Sequence, residues 1–231
     1  MKVNELKSLI EGGESENLEF KRKIASDEKI ARSLVGFANC SGGRIMIGVD
    51  DDGTIVGIES EKIDLDDIKR ISENLCTPKI NYEIEIVPVK NLDVIVIKVI
   101  ESKIKPHFVK SEVNKLTVYV RNEASTIEAD KTFINILNYR NKPILNFVFG
   151  EHEKNIMTYL NEYKKISIEN VIQLLKVNKR KASRLLINLF RMKMLNYKFE
   201  KNKIIFVPFD LEFSINQKEL SQKPQKHLEN V

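Results

Sequence analysis

Two periods of hydrophobic spacing run along this chain. Leu18 and Phe20 alternate with Glu19 and Lys21, as in a half-buried strand. Ile30, Leu34, Val35 and Phe37 then recur at helical spacing over 28–39, behind Asp27 as the expected N-cap, and Gly42-Gly43 end the helix. Residues 2–10 predict a short helix stopping at Gly12-Gly13. The run 44–49 reads as a buried strand, Asp50-Asp51-Asp52-Gly53 as a tight turn, and 54–58 as the returning arm of a hairpin. Ile68, Ile71 and Leu75 line one face of a helix over 64–76. Strands follow over 80–90, 92–100 and 115–121, and Asp130 caps a helix reaching Tyr139. Hairpin links between strands disfavour a purely parallel sheet, so the fold class is α+β: a mixed sheet with flanking helices.

After Asn141-Lys142-Pro143 the rhythm changes, because a helix usually stops before proline. Helices are predicted over 151–163, 168–175 and 179–194. The third carries Ala182, Leu185, Leu186, Leu189 and Phe190 as a full apolar stripe. A hairpin of 196–199 and 204–207 turns through 200–203. Three helices and a hairpin in so short a span describe a small winged helix-turn-helix, whose third helix would enter a major groove by its N-terminal end. The expected organisation is an N-terminal domain over 1–141, a winged-helix domain over 146–209, and a flexible polar tail over 210–231.

Charge changes the picture of the second half. Residues 146–231 hold 16 Lys/Arg against 9 Asp/Glu, while the rest of the chain is near neutral. A compact basic segment suits a phosphate-backbone binder, though a solvated lysine-rich face gives the same count. The candidate contacts are Asn178, Lys179, Arg180, Lys181 and Arg184 on the third helix, with Lys201 and Lys203 on the hairpin. A protein-interaction module is the competing reading of the helical trio. No apolar run is long enough to cross a membrane, and the charged N-terminus lacks the apolar core of a signal peptide. With two cysteines and no disulfide framework, a cytoplasmic protein is expected.

Three acidic clusters bear on chemistry. Asp64, Asp66 and Asp67 read as helix-dipole partners. The segment from Glu14 to Lys21 and the turn Asp50-Asp51-Asp52 lie at strand ends beside glycines. Carboxylates converging there would suit Mg²⁺ or Mn²⁺, and Lys21 would offset transition-state charge. Solvated turn carboxylates are the alternative. Glycines 42, 43, 48 and 53 fit turns rather than a phosphate cradle, and His107, His152 and His227 show no metal spacing.

Glu-Ser-Glu-Asn-Leu-Glu-Phe-Lys at 14–21, Phe-Ala-Asn-Cys-Ser-Gly-Gly at 37–43, Gly-Val-Asp-Asp-Asp-Gly at 48–53, Pro-His-Phe-Val at 106–109 and Val-Tyr-Val-Arg at 118–121 resemble, in order, the Schlafen AlbA_2 domain. The resemblance covers roughly residues 5–140. The nuclease branch of that family implies a metal-dependent endoribonuclease acting on structured RNA such as tRNA. Its residues would be Glu14, Glu19 and Asp51 (Asp50 as the alternate) as metal ligands, with Lys21 beside them and Mg²⁺ or Mn²⁺ as cofactor. One departure follows Arg121, where Asn122-Glu123-Ala124-Ser125 stands in place of the usual Gly-Ser pair. Prokaryotic members often add a winged helix and carry the label of transcriptional regulators, so a non-catalytic DNA-binding regulator is the alternative function. Larger relatives pair two lobes around a basic cleft, which implies that two copies of this chain form a homodimer. A scaffold whose activity belongs to its partners is a third reading.

Overall fold

The computed structural model describes residues 1–140, 142 and 147–209. The expected tail over 210–231 and all but one of the residues between the expected domains lie outside them. The chain separates into two compact units that meet between Asn138 and Tyr139.

The first unit opens with α1 (Val3–Glu11), β1 (Leu18–Lys21), α2 (Asp27–Asn39), β2 (Gly43–Ile47) and α3 (Glu61–Leu75). It continues with β3 (Cys76–Thr77), β4 (Tyr82–Val89), β5 (Leu92–Val99), β6 (Phe108–Lys110), β7 (Leu116–Thr117), β8 (Tyr119–Asn122), β9 (Ser125–Glu128) and α4 (Lys131–Tyr139). The main sheet has the order β1-β2-β5-β4. β1 runs parallel to β2, which requires a crossover, and α2 supplies it. β2, β5 and β4 pair antiparallel, so the sheet is mixed, as expected.

Both faces of that sheet are covered. Ile45, Ile47, Ile95 and Ile97 pack with Ile30, Leu34 and Phe37 of α2 and with Ile68 and Ile71 of α3. Phe20, Met46, Val94 and Val96 point the other way and pack with Leu6 of α1. Strand alternation therefore sends Glu19 and Lys21, neighbours of Phe20, to the α2 face. β3, β6 and β7 form a small sheet, and β8 and β9 a separate hairpin.

Several local expectations are corrected. Segment 54–58 does not return as a strand: only Val49 and Ile55 bridge, because Gly48 and Gly57 both take positive φ and bend the chain away. Ser26 rather than Asp27 caps α2, its hydroxyl accepting from the Lys29 amide, while Asp27 is drawn to Arg70 of α3. The strand over 115–121 is two short strands broken at Val118, which joins neither.

The second unit contains α5 (Glu151–Tyr163), α6 (Ile168–Leu175), α7 (Lys179–Arg191), β10 (Leu195–Glu200) and β11 (Lys203–Pro208). Ser167 and Asn170 cap α6 reciprocally, and Asn178 caps α7 by accepting from the Lys181 amide at 2.9 Å. The stripe Ala182, Leu185, Leu186 and Leu189 is buried, as its spacing predicts. Helix α7 stops three residues earlier than expected, and Lys193 just beyond it takes a left-handed φ of 57°. β10 and β11 pair antiparallel through Lys201 and Asn202, both at positive φ, the geometry that matches strand twist in a two-residue turn.

Candidate functional site

Glu19 sits on β1, an edge strand, and faces α2. Only 6% of it is exposed. A buried carboxylate must be paired, and this one is paired completely. Its Oε1 accepts from the Ser33 hydroxyl of α2 at 2.7 Å and lies 2.6 Å from Lys21 Nζ. Its Oε2 lies 2.6 Å from Arg121 Nη1 of β8. The Arg121 side chain is itself fully buried. The same Nη1 donates to Thr126 Oγ1 of β9 at 2.8 Å, and Nη2 donates to the Ser15 carbonyl at 2.8 Å. The guanidinium lies over the Phe37 ring, 4.6 Å from its centroid. Burial pulls Arg121 below the usual arginine range, and the Glu19 charge opposes that pull.

Small residues admit this network. A Cβ on Gly36 would stand 3.2 Å from Thr126 Cγ2 and 3.6 Å from Arg121 Cδ. A Cβ on Gly43 would fall 2.4 Å from the Phe37 ring and 2.8 Å from the Asn17 carbonyl. The Phe-Ala-Asn and Gly-Gly elements of the sequence are thus coupled by contact. Asn39 adds a second staple: its Nδ2 donates to the carbonyls of His107 and Tyr119, and its Oδ1 accepts from the His107 amide at 2.7 Å. His107 is buried, and desolvation holds its imidazole below the usual histidine range. Cys40 accepts the Arg121 amide at 3.2 Å, and burial pushes its thiol up to about 11, so it stays protonated.

The other predicted ligands are engaged elsewhere. Glu14 Oε1 accepts the Phe20 amide at 2.7 Å, and so satisfies a donor on the exposed edge of β1. Lys21 Nζ turns inward, bonding Glu19 and the Phe20 carbonyl. Asp50 pairs with Arg22 at 2.5 Å. Asp52 accepts the Thr54 amide at 2.8 Å, a bond that holds its carboxyl pKa below the usual carboxylate range. Asp51 is exposed at the turn. Among the described residues no group of three or more His, Cys, Asp or Glu is placed to hold a metal ion. Glu14, Glu19 and Asp51, the expected Mg²⁺ or Mn²⁺ ligands, do not form such a group here. Both oxygens of Glu19 already have partners, Ser33 and Lys21 on Oε1 and Arg121 on Oε2.

Arg121, Ser33, Thr126 and Asn39 were not singled out as site residues from the sequence. The signal for Arg121 was present: an arginine ends the run Val118-Tyr119-Val120, where strand alternation leaves a charge among buried neighbours. Ser33 gave none, since a serine within a helix normally has no special meaning.

The second unit holds charge differently. Lys179, Arg180, Arg184, Lys201 and Lys203 are exposed and have no carboxylate partner among the described residues. Lys181 is half-buried, with Nζ 2.9 Å from His152 Nε2 of α5. Glu200, the acid of the basic stretch, is bound by Lys165 and Lys198, each at 2.9 Å. The basic residues of the α7 start and of the hairpin are therefore not cancelled by it.

Comparison with known proteins gives three findings. The sequence model of a family described as "Schlafen, AlbA_2" matches residues 14–130. No curated protein matches the chain. Among solved structures, the chain is similar to the DIP2311 protein from Corynebacterium diphtheriae, with 17% identity, a TM-score of 0.41, and coverage of 57% of this chain and 25% of that one. It is also similar to the N-terminal domain of a putative ATP-dependent DNA helicase RecG-related protein from Nitrosomonas europaea, with 19% identity, a TM-score of 0.44, and coverage of 66% and 99%. The chain thus spans a quarter of the length of the first of these. Among the described residues no helix is long and apolar enough to cross a membrane.

Proposed function

The chain belongs to the Schlafen AlbA_2 family, and from that premise we propose that it is a nucleic-acid-binding protein of the regulator type. In this reading it grips duplex DNA through a winged-helix second unit and performs no metal-dependent cleavage in the first. The observation that carries it is the exposed, unpaired basic set Lys179, Arg180 and Arg184 at the capped start of α7. Exposed cations at a helix start meet phosphates without first breaking an ion pair, and the helix dipole adds to their attraction. Asn178 caps that start, and Lys201 and Lys203 on the hairpin turn supply a second backbone contact. Lys181, bound to His152, is a weaker contributor.

Endoribonuclease chemistry at Glu14, Glu19, Asp51 and Lys21 is the reading the geometry disfavours. Glu19 is held by Ser33, Lys21 and Arg121, and Lys21 points at Glu19 rather than outward.

The test is a gel shift of duplex DNA across a salt series. The full chain is compared with a triple variant, Lys179→Ala, Arg180→Ala and Arg184→Ala. Removing three phosphate contacts reduces the slope of log affinity against log salt by roughly 2–3. An unchanged slope and affinity would remove the assignment.

A further inference from the structure

We infer that one flank of α5 is a track for a short unpaired stretch of nucleic acid, with bases stacking on Tyr163 and phosphates held at its two ends. The inference rests on the reading that this unit binds nucleic acid, and names a second substrate form for it. Ile156 and Leu160 make the core face of α5 and are fully buried. His152, Tyr159 and Tyr163 stand at i, i+7 and i+11, so they share a flank beside that face. The tyrosines are not needed by the core. Their rings stack on each other with centroids 4.4 Å apart and planes at 29°. Tyr163 is 53% exposed, so with Tyr159 against one side its ring still offers a surface to solvent.

Cations close both ends of the flank. At the start of α5, the His152 contact draws Lys181 of α7 onto it, 2.9 Å away. At the far end, Lys165 follows Tyr163 by two residues and reaches Glu200 of β10 at 2.9 Å, where Lys198 also arrives. Two neighbouring acids are ion-paired, Glu151 with Lys154 and Glu200 with two lysines. A flank with an exposed aromatic ring and ammonium groups toward both of its ends complements a stacked base and its phosphates. A duplex does not fit it, because paired bases keep their faces within the stack.

Fluorescence anisotropy of labelled U12 and dT12, beside a matched duplex, tests this with the full chain. Tyr163→Ala is expected to weaken both single strands about 5- to 20-fold and to leave duplex affinity within about twofold. Tyr163→Phe keeps the ring and is expected to bind like the wild type, which separates stacking from misfolding. Equal weakening of U12 and dT12 assigns the flank to bases in general, and loss confined to U12 assigns it to RNA. Duplex binding without any single-strand binding, or single-strand binding untouched by Tyr163→Ala, overturns the inference while the regulator reading stands. Binding to neither form overturns both.

Discussion

The first unit buries its functional-looking charges and the second leaves them in water, and that difference decides what each can do. Around Glu19, two cations and a hydroxyl surround one carboxylate, and a fully buried guanidinium ties β1, β8, β9 and the loop at Ser15 together. A charge so enclosed acts on its own chain. It is expensive to desolvate, and the bonds of Glu19 and of the two Arg121 Nη atoms to specific partners offset part of that cost. At the start of α7, three cations stand exposed with no carboxylate partner among the described residues. A charge of that kind contributes little to folding and stays free to meet a partner. Similar residue types thus build architecture in one place and stay open to solvent in the other.

The sharpest way to break the comparison is to remove one charge from each region. Arg121→Met leaves Glu19 buried beside a shortened partner set and is expected to cost about 3–5 kcal/mol in urea unfolding. The triple α7 variant is expected to stay within about 0.5 kcal/mol per site. Equal losses would erase the distinction. Combining Arg121→Met with Glu19→Gln should cost less than the sum of the two, because both act on one pair.

Gly43→Ala comes next, at about 1–3 kcal/mol, because the new methyl meets the Phe37 ring and a backbone carbonyl. An unchanged melting temperature would show that Phe37 does not anchor the guanidinium as described. A third effect is acid sensitivity. His107 is buried, and desolvation lowers its folded-state value. The unfolded chain therefore binds its proton first, near pH 6.5, and stability falls as pH drops below that point toward the folded-state value. His107→Gln should flatten the stability profile between pH 7 and 5, and an equally steep profile in the variant would contradict this. The smallest effect lies within the basic helix. Arg180→Ala should weaken duplex binding several-fold, and Lys181→Ala by about twofold or less, because Lys181 leans on His152.

Much of the architecture was legible in the sequence because periodicity carries it. The helices over 151–163 and 168–175 and the strands on either side of Asn91 have strong, clean patterns. The surroundings of the acidic residues are not legible in the sequence, for a physical reason. Sequence order shows which carboxylates exist, but not what occupies them. Arg121 lies 102 positions from Glu19, and nothing local to either residue announces their meeting. The motif residues shared with the family are also informative in a different way than expected. Phe37, Asn39, Gly43 and Arg121 meet as contacts that build the unit. A signature can mark a frame as readily as a reaction centre.

The central claim is that Lys21 and Arg121, cations of the chain itself, hold the Glu19 carboxylate. Titration of the full chain with Mn²⁺, followed by electron paramagnetic resonance, tests it directly alongside Asp51→Asn, an exposed exchange that leaves the fold alone. The account predicts no stoichiometric site and the same free Mn²⁺ for both proteins. One ion bound per chain, and lost in Asp51→Asn, would contradict it.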